Sequence, residues 1–276
     1  MKSKVAIQGI KGSYHHQVAL QYFGETVDVL ECMSFGDVAM SLVKATSEHA
    51  VMAIENSIAG SIIPNYAYID ECGFSIIGEF YAPIQHCLMA LPGQSITDII
   101  EVHSHPMALL QCKEFFKKHT HIKLVEAPDT ALVAQQIDKE KSLGIGAVAG
   151  AIAATLYHLD MLAQNIQTVN TNSTRFFILN HKSNTQQVRE GVNKATLKMM
   201  IAHEQGSLAT ILNIMSNCNL NLTKIQSLPV PNQPWQYSFF MDVTFAKYDD
   251  LMNATVVIQD MILELKILGI YKDQKQ

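Results

Sequence analysis

Up to about residue 180 this chain alternates short apolar strands with amphipathic helices, and that rhythm leaves few folds open to it. Strands are expected at 5–8, 27–31, 50–54, 74–80, 86–91, 99–103, 123–127 and 143–148, with helices in most of the gaps. Ser34 followed by Asp37 is a capping box, and Phe35, Val38, Ala39, Leu42 and Val43 then fall on one helical face. Pro106 and Asp129 open two further helices. Such a succession predicts a mostly parallel sheet with both faces covered. Ligands of such sheets bind beyond the C-terminal ends of the strands. The expected strand 50–54 ends directly on Glu55-Asn56-Ser57-Ile58-Ala59-Gly60-Ser61.

The rhythm changes after residues 181–194, a polar linker whose large apolar side chains are Val188 and Val192. Beyond it come a strand at 195–202, a helix marked by Leu208, Ile211, Leu212 and Met215, and a strand at 222–228. A long third strand would carry Trp235, Tyr237, Phe239, Met241, Val243 and Phe245 on one face. A helix capped by Asp249 or Asp250 and a strand at 265–270 complete a βαββαβ order, the ferredoxin-like split unit. Sandwiches of this kind pair through a sheet edge or an open face, so an oligomer is expected.

Composition excludes several functions. A net charge of −5 argues against a nucleic-acid or acidic-membrane surface, so an anionic ligand must be met by local donors. Five scattered cysteines without a C-x-x-C argue against disulfides and zinc and fit a reducing, cytoplasmic setting. No apolar run is long enough to span a bilayer. His103 with His105, and His119 with His121, lack a third ligand at a useful spacing, so no metal is expected. Gly9 and Gly12 lack the third glycine of a dinucleotide fingerprint, so no nucleotide cofactor is expected.

Against that background one arginine stands out. The chain has two, and Arg175 lies in Asn172-Ser173-Thr174-Arg175-Phe176-Phe177, where a polar loop enters an apolar strand. A guanidinium presents a planar fork of donors suited to a carboxylate. An alternating strand sends Thr174 and Arg175 to opposite faces, which leaves two readings of the arginine open: a direct carboxylate contact, or a brace for an acid such as Glu55.

Taken together these motifs resemble the prephenate dehydratase family, in its monofunctional form with a C-terminal ACT regulatory domain. The resemblance runs nearly end to end. It rests on Gly9-Ile10-Lys11-Gly12-Ser13-Tyr14-His15-His16, on the Glu55–Ser61 segment, on His105-Pro106-Met107-Ala108-Leu109-Leu110-Gln111-Cys112 and on Asn172–Phe176. Gly206-Ser207-Leu208 and Leu220-Asn221-Leu222-Thr223-Lys224-Ile225 carry it into the C-terminal part. It implies two α/β subdomains around a cleft, similar to type II periplasmic binding proteins, within a catalytic domain of residues 1–180. Lobe one would be 1–78 with 165–180, lobe two 79–164, and the ACT domain 195–272. No chorismate mutase segment is expected ahead of residue 1.

The resemblance further implies prephenate as substrate and L-phenylalanine as effector, with a homodimer or homotetramer as the assembly. Thr174 matches the family's essential threonine, which makes it the donor to the departing hydroxyl, directly or through a water. Ser13, Asn56, Ser57, Gly60, Ser61, Asn172, Arg175 and Phe176 become the substrate-binding set. Gly206, Ser207, Leu208, Asn221, Leu222, Gln226 and Ser227 become the effector-binding set. The chain departs from the family in two places. His15 stands where serine or threonine is usual, and in the regulatory half Gln226-Ser227-Leu228-Pro229 replaces Glu-Ser-Arg-Pro and Gly206-Ser207-Leu208 replaces Gly-Ala-Leu. Arogenate, with an amino group in place of the keto group, is the alternative substrate; a silent two-lobed binding protein is the alternative from another class.

Overall fold

In the computed structural model, residues 4–181, 190–202, 204–230 and 235–275 are described. The chain divides into two compact units, one of Met1–Ser61 with Tyr81–Phe176 and one of Ile62–Phe80 with Phe177–Gln276. The elements run β1 (Lys4–Gln8), α1 (Tyr14–Phe23), β2 (Asp28–Cys32), α2 (Phe35–Val43), β3 (His49–Asn56), β4 (Gly60–Ser61), α3 (Ile63–Glu71), β5 (Ser75–Pro83) and β6 (Cys87–Ala90). They continue with β7 (Glu101–Ser104), α4 (Pro106–Gln111), α5 (Lys113–Phe116), β8 (Lys123–Glu126), α6 (Thr130–Glu140), β9 (Ile145–Ala149), α7 (Ala151–Leu156), β10 (Asp160–Ala163) and β11 (Ser173–Asn180). The last six are β12 (Lys194–Met200), α8 (Ser207–Asn217), β13 (Asn221–Pro229), β14 (Tyr237–Thr244), α9 (Tyr248–Gln259) and β15 (Glu264–Tyr271).

Three sheets result, a mixed α/β fold. The first is ordered β2-β1-β3-β11-β5, with β4 paired to β3. Its β1 pairs in parallel with β2 and β3, as helix-linked strands must. The second, β10-β6-β9-β7-β8, is mixed rather than mostly parallel: β6 runs against both β9 and β10. The sequence reading missed β10, whose Asp-Met-Leu-Ala has neither alternation nor a continuous apolar run. Ser34 Oγ caps α2 by accepting the Asp37 N–H at 3.1 Å, and donates its own proton to Asp37 Oδ2 at 2.7 Å, a hydroxyl contact in place of the backbone one of a capping box. Asp129 Oδ1 accepts the Leu132 N–H at the start of α6.

The third sheet, β13-β14-β12-β15, is antiparallel throughout. Alternation along β12 puts Ala195, Leu197 and Met199 against α8 and α9, in a core with Ile211, Met215 and Ile258. Lys194, Thr196 and Lys198 point to the opposite face, and that face is not open. Within the same unit α3 and the start of β5 lie on it. Lys194 Nζ sits 2.8 Å from Glu79, and Lys198 Nζ 2.6 Å from Asp70. The Tyr66 and Phe240 rings are 5.2 Å apart. A methyl on Gly269 of β15 would come within 2.1 Å of the Ile76 carbonyl, so glycine is what lets the segment approach.

Three expectations need correcting. Trp235 is not on β14: it has φ +68, a conformation that cannot extend a strand, and it is 79% exposed. Lys247, not an aspartate, occupies the N-cap of α9; Asp249 and Asp250 lie in its first turn, where they complement the helix dipole. Lys194, assigned to the linker, opens β12, while residues 182–189 of that linker lie outside the described residues. Among the described residues no helix is long and apolar enough to cross a membrane.

Candidate active site

The two polar motifs meet where β3 ends and β11 begins. Ser57 N–H donates to the Ser173 carbonyl at 2.9 Å, and Ser57 Oγ accepts from Ser173 N–H at 3.0 Å. This backbone clamp fixes two loops that are over a hundred residues apart. Asn56 is its centre. Its Oδ1 accepts the N–H groups of Ile58 at 3.0 Å and Ala59 at 2.9 Å, an Asx turn that immobilises the amide. Its Nδ2 donates to Asn172 Oδ1 at 2.7 Å and to Thr174 Oγ1 at 2.9 Å. Since the threonine oxygen accepts from Asn56, its own proton is left to be donated elsewhere. Thr174 is 8% exposed, so solvent competes little for that proton.

Ser173 Oγ ties the start of β11 to the Ala82 carbonyl at 3.2 Å, and Ile84 N–H donates to the Asn172 carbonyl at 2.9 Å. Arg175 is 3% exposed, with its guanidinium carbon 5.8 Å from the centre of the Tyr81 ring, within cation–π range. As alternation requires, Thr174 turns to Asn56 and Arg175 to Tyr81. Gly60, at φ +83, and Ser61 form the short β4 opposite Asn56 and Glu55. Ser13 is the N-cap of α1, its Oγ accepting from His16 N–H at 3.3 Å. Phe176 is buried edge-on against His15, ring centres 4.9 Å apart, in the packed interior and not in the loop cluster.

His15 has a structural occupation. Its Nε2 accepts the Ala53 N–H at 3.3 Å, between Phe35 and Phe176, and burial pushes its pKa down to about 3. The folded value lies below the ordinary one, near 6.5, so the unfolded chain binds the extra proton. The stabilisation is complete above that pH and is lost as pH falls toward the folded value. Urea unfolding should therefore show stability falling below neutrality by up to about 1.4 kcal/mol per pH unit. In His15→Thr that part of the slope disappears. His16 likewise serves the loop, its Nδ1 accepting the Gly12 N–H at 3.0 Å.

The sequence reading passed over His86 and gave Gln111 no role. His86 Nε2 is 2.9 Å from Gln111 Oε1, which also receives Asn172 Nδ2 at 3.2 Å. The available signal was a single imidazole placed just before the wholly apolar β6. Burial holds that imidazole below its ordinary pKa. Burial likewise pushes the Cys112 thiol up to about 12, which marks it as an inert core thiol. His105 caps α4 through Nδ1, and His103 pairs with Glu101.

In the C-terminal sheet, Gly206 takes the left-handed conformation at the N-cap of α8. Ser207 and Leu208 line a cavity of about 140 Å³ with Trp235, Tyr237, Phe239 and Leu263. Asn221 and Leu222 start β13, beyond the far end of α8, and Gln226 and Ser227 follow along that strand. None of these four lines the cavity.

The protein is thus a mixed α/β fold that holds a neutral, amide-braced hydroxyl at the mouths of two strands. The sequence profile of prephenate dehydratase matches residues 5–184, and the chain belongs to the prephenate dehydratase family. It is 32% identical over 274 residues to the bifunctional chorismate mutase/prephenate dehydratase of Aquifex aeolicus, covering 98% of this chain and 74% of that one. Among solved structures it is similar to GqqA, described as a novel type of quorum quenching acylase, at 27% identity, 98% coverage of both chains and a TM-score of 0.89. It shares its fold with the Arthrobacter aurescens prephenate dehydratase in complex with L-Phe, at 22% identity, TM-score 0.87, and 98% and 90% coverage.

Proposed function

We propose that this chain converts prephenate to phenylpyruvate, CO2 and water, in phenylalanine biosynthesis, with Thr174 as the donor to the leaving hydroxyl. Aromatisation drives the reaction, and the barrier lies in expelling hydroxide from a ring carbon. As the ring carboxylate leaves as CO2, its bonding pair enters the ring and displaces the hydroxyl, which needs a proton as it departs. The supporting observation is the Asn56 hydrogen bond to Thr174 Oγ1, which aims the threonine proton away from the amide. A threonine hydroxyl is a weak acid, so it acts by aligned hydrogen bonding, with water completing the transfer.

Ser57, Asn172 and the Gly60-Ser61 amides are the neutral donors of the substrate carboxylates, with Ser13 contributing from the first loop, while Asn56, whose two amide protons go to Asn172 and Thr174, braces them. Neutral donors suit the carboxylate that is lost, because a tight ion pair would oppose its departure. Arg175, buried beside Tyr81, supplies the fixed positive charge behind them. We assign catalysis to residues 1–180, as two periplasmic-binding-like lobes, and regulation to residues 195–272, as a ferredoxin-like ACT domain. L-phenylalanine is the effector in this reading, and a homo-oligomer the assembly.

The similarity to GqqA raises amide hydrolysis as a second reading. Acyl transfer by Thr174 would need a general base on its hydroxyl; Thr174 Oγ1 is instead held by an amide donor. Product analysis with prephenate, arogenate and an N-acyl homoserine lactone separates the three. The expected result is phenylpyruvate from prephenate, without release of fatty acid from the lactone. Phenylalanine from arogenate alone, or release of fatty acid by amide cleavage alone, would replace this reading.

A further inference from the structure

The hydrogen bonds behind Thr174 can be oriented one after another, starting from the backbone. The Ile58 and Ala59 N–H groups can only donate, so the Asn56 atom they meet is Oδ1 and its NH2 faces Asn172 and Thr174. The Asn172 atom facing that NH2 must accept, so Asn172 turns its own NH2 toward Gln111. Gln111 must then present Oε1, and His86 Nε2 stands 2.9 Å from the same oxygen. Two bare acceptors do not share that distance, so Nε2 carries the proton.

The other side of the ring holds the longer contact. Nδ1 lies 3.3 Å from the Tyr14 hydroxyl, whose one proton goes to the Gln85 carbonyl at 2.7 Å, so the 2.9 Å contact of Nε2 outweighs it in placing the ring proton. The His86 N–H is held by Gln167 Oε1 at 2.8 Å, and Tyr14 packs edge-on to the ring at 6.0 Å. With 3% exposure the imidazole has little access to solvent and turns only with its neighbours.

We propose that His86 is a positioning residue for Thr174: its Nε2–H tautomer locks the amides of Gln111, Asn172 and Asn56 in the one polarity that leaves the threonine proton free for the substrate. This rests on the reading of Thr174 as the donor. With Nε2 bare, Gln111 would have to turn its NH2 to the imidazole and its oxygen would no longer receive Asn172. Asn172 would then reverse and set NH2 against the Asn56 NH2. Asn56 would have to give up either its backbone donors or Thr174.

Two variants and one spectrum test this. His86→Leu removes the donor, and kcat for prephenate should fall about 10- to 100-fold, less than for a group that itself handles the proton, with KM changed by less than about threefold. His86→Gln places an amide N–H near the position of Nε2 and should recover most of kcat. Nitrogen NMR of histidine-labelled wild-type protein should show His86 protonated at Nε2 and bare at Nδ1 from about pH 6 to 9. A bare Nε2 would overturn the relay, as would a His86→Gln protein no faster than His86→Leu, or a loss confined to KM. The spectrum reads the tautomer whether or not prephenate is the substrate. A wild-type protein inert toward prephenate would sink the functional reading, while the tautomer still decides the relay.

Discussion

Thr174→Val is expected to lower kcat for prephenate by about 10²–10⁴, the range for a positioned proton donor, with a folded protein that still binds substrate. Valine replaces the hydroxyl with a methyl of nearly the same shape. The aligned proton is lost, and Asn56 Nδ2 loses one acceptor while keeping Asn172 Oδ1 at 2.7 Å. Because the interaction strengthens only as the hydroxyl departs, the loss falls on kcat rather than KM. Thr174→Ser keeps the oxygen and should retain activity to within about tenfold, the decrement reflecting a hydroxyl freer to rotate. Steady-state kinetics of the two variants, with circular dichroism to check the fold, decide this. A Thr174→Val protein with wild-type turnover would remove Thr174 from the chemistry.

The largest expected effect on stability lies elsewhere, in the unit that contains the third sheet. Lys194 is 2% exposed and Glu79 is not exposed at all. Lys194 Nζ donates to both Glu79 oxygens, at 2.8 and 3.1 Å, and to Asp273 at 3.0 Å. A third bond, from Gln274 N–H to Glu79 Oε1, helps satisfy the carboxylate. Removing one partner of such a pair leaves a buried charge uncompensated, at a cost of about 3–5 kcal/mol. Lys194→Ala should therefore lower the free energy of unfolding by that amount in urea at neutral pH. The double variant Lys194→Met/Glu79→Leu should recover most of it, because apolar pairs of similar volume replace buried ion pairs with little loss. Equal losses in the single and double variants would contradict the account and point to packing of the lysine stem instead.

Residue types and their order made much of this legible. Short polar residues at strand ends marked Asn56, Ser57 and Asn172 to Thr174, and the structure joins these five through two loops. Alternation correctly separated Thr174 from Arg175. What escaped was set by tertiary placement. His86 sits beside an apolar strand, and no periodicity shows that Gln111, twenty-five residues on, meets it. Phe176 carries a motif position yet belongs to the core, because its neighbour His15 fills the interior side of α1. The charged face of β12 gave no hint of its partners, since Glu79 and Asp70 come from a distant segment. Trp235 shows the converse limit. Its type fits a strand, but a left-handed backbone decides otherwise.

The central claim concerns one chemical event, and its stoichiometry tests it most directly. Prephenate labelled in the ring carboxylate, incubated with the wild-type protein, should release one labelled CO2 for each phenylpyruvate formed, at a rate proportional to enzyme concentration. Thr174→Val under the same conditions should fall toward the uncatalysed rate. Phenylpyruvate appearing no faster than in buffer, with prephenate recovered intact, would contradict the account.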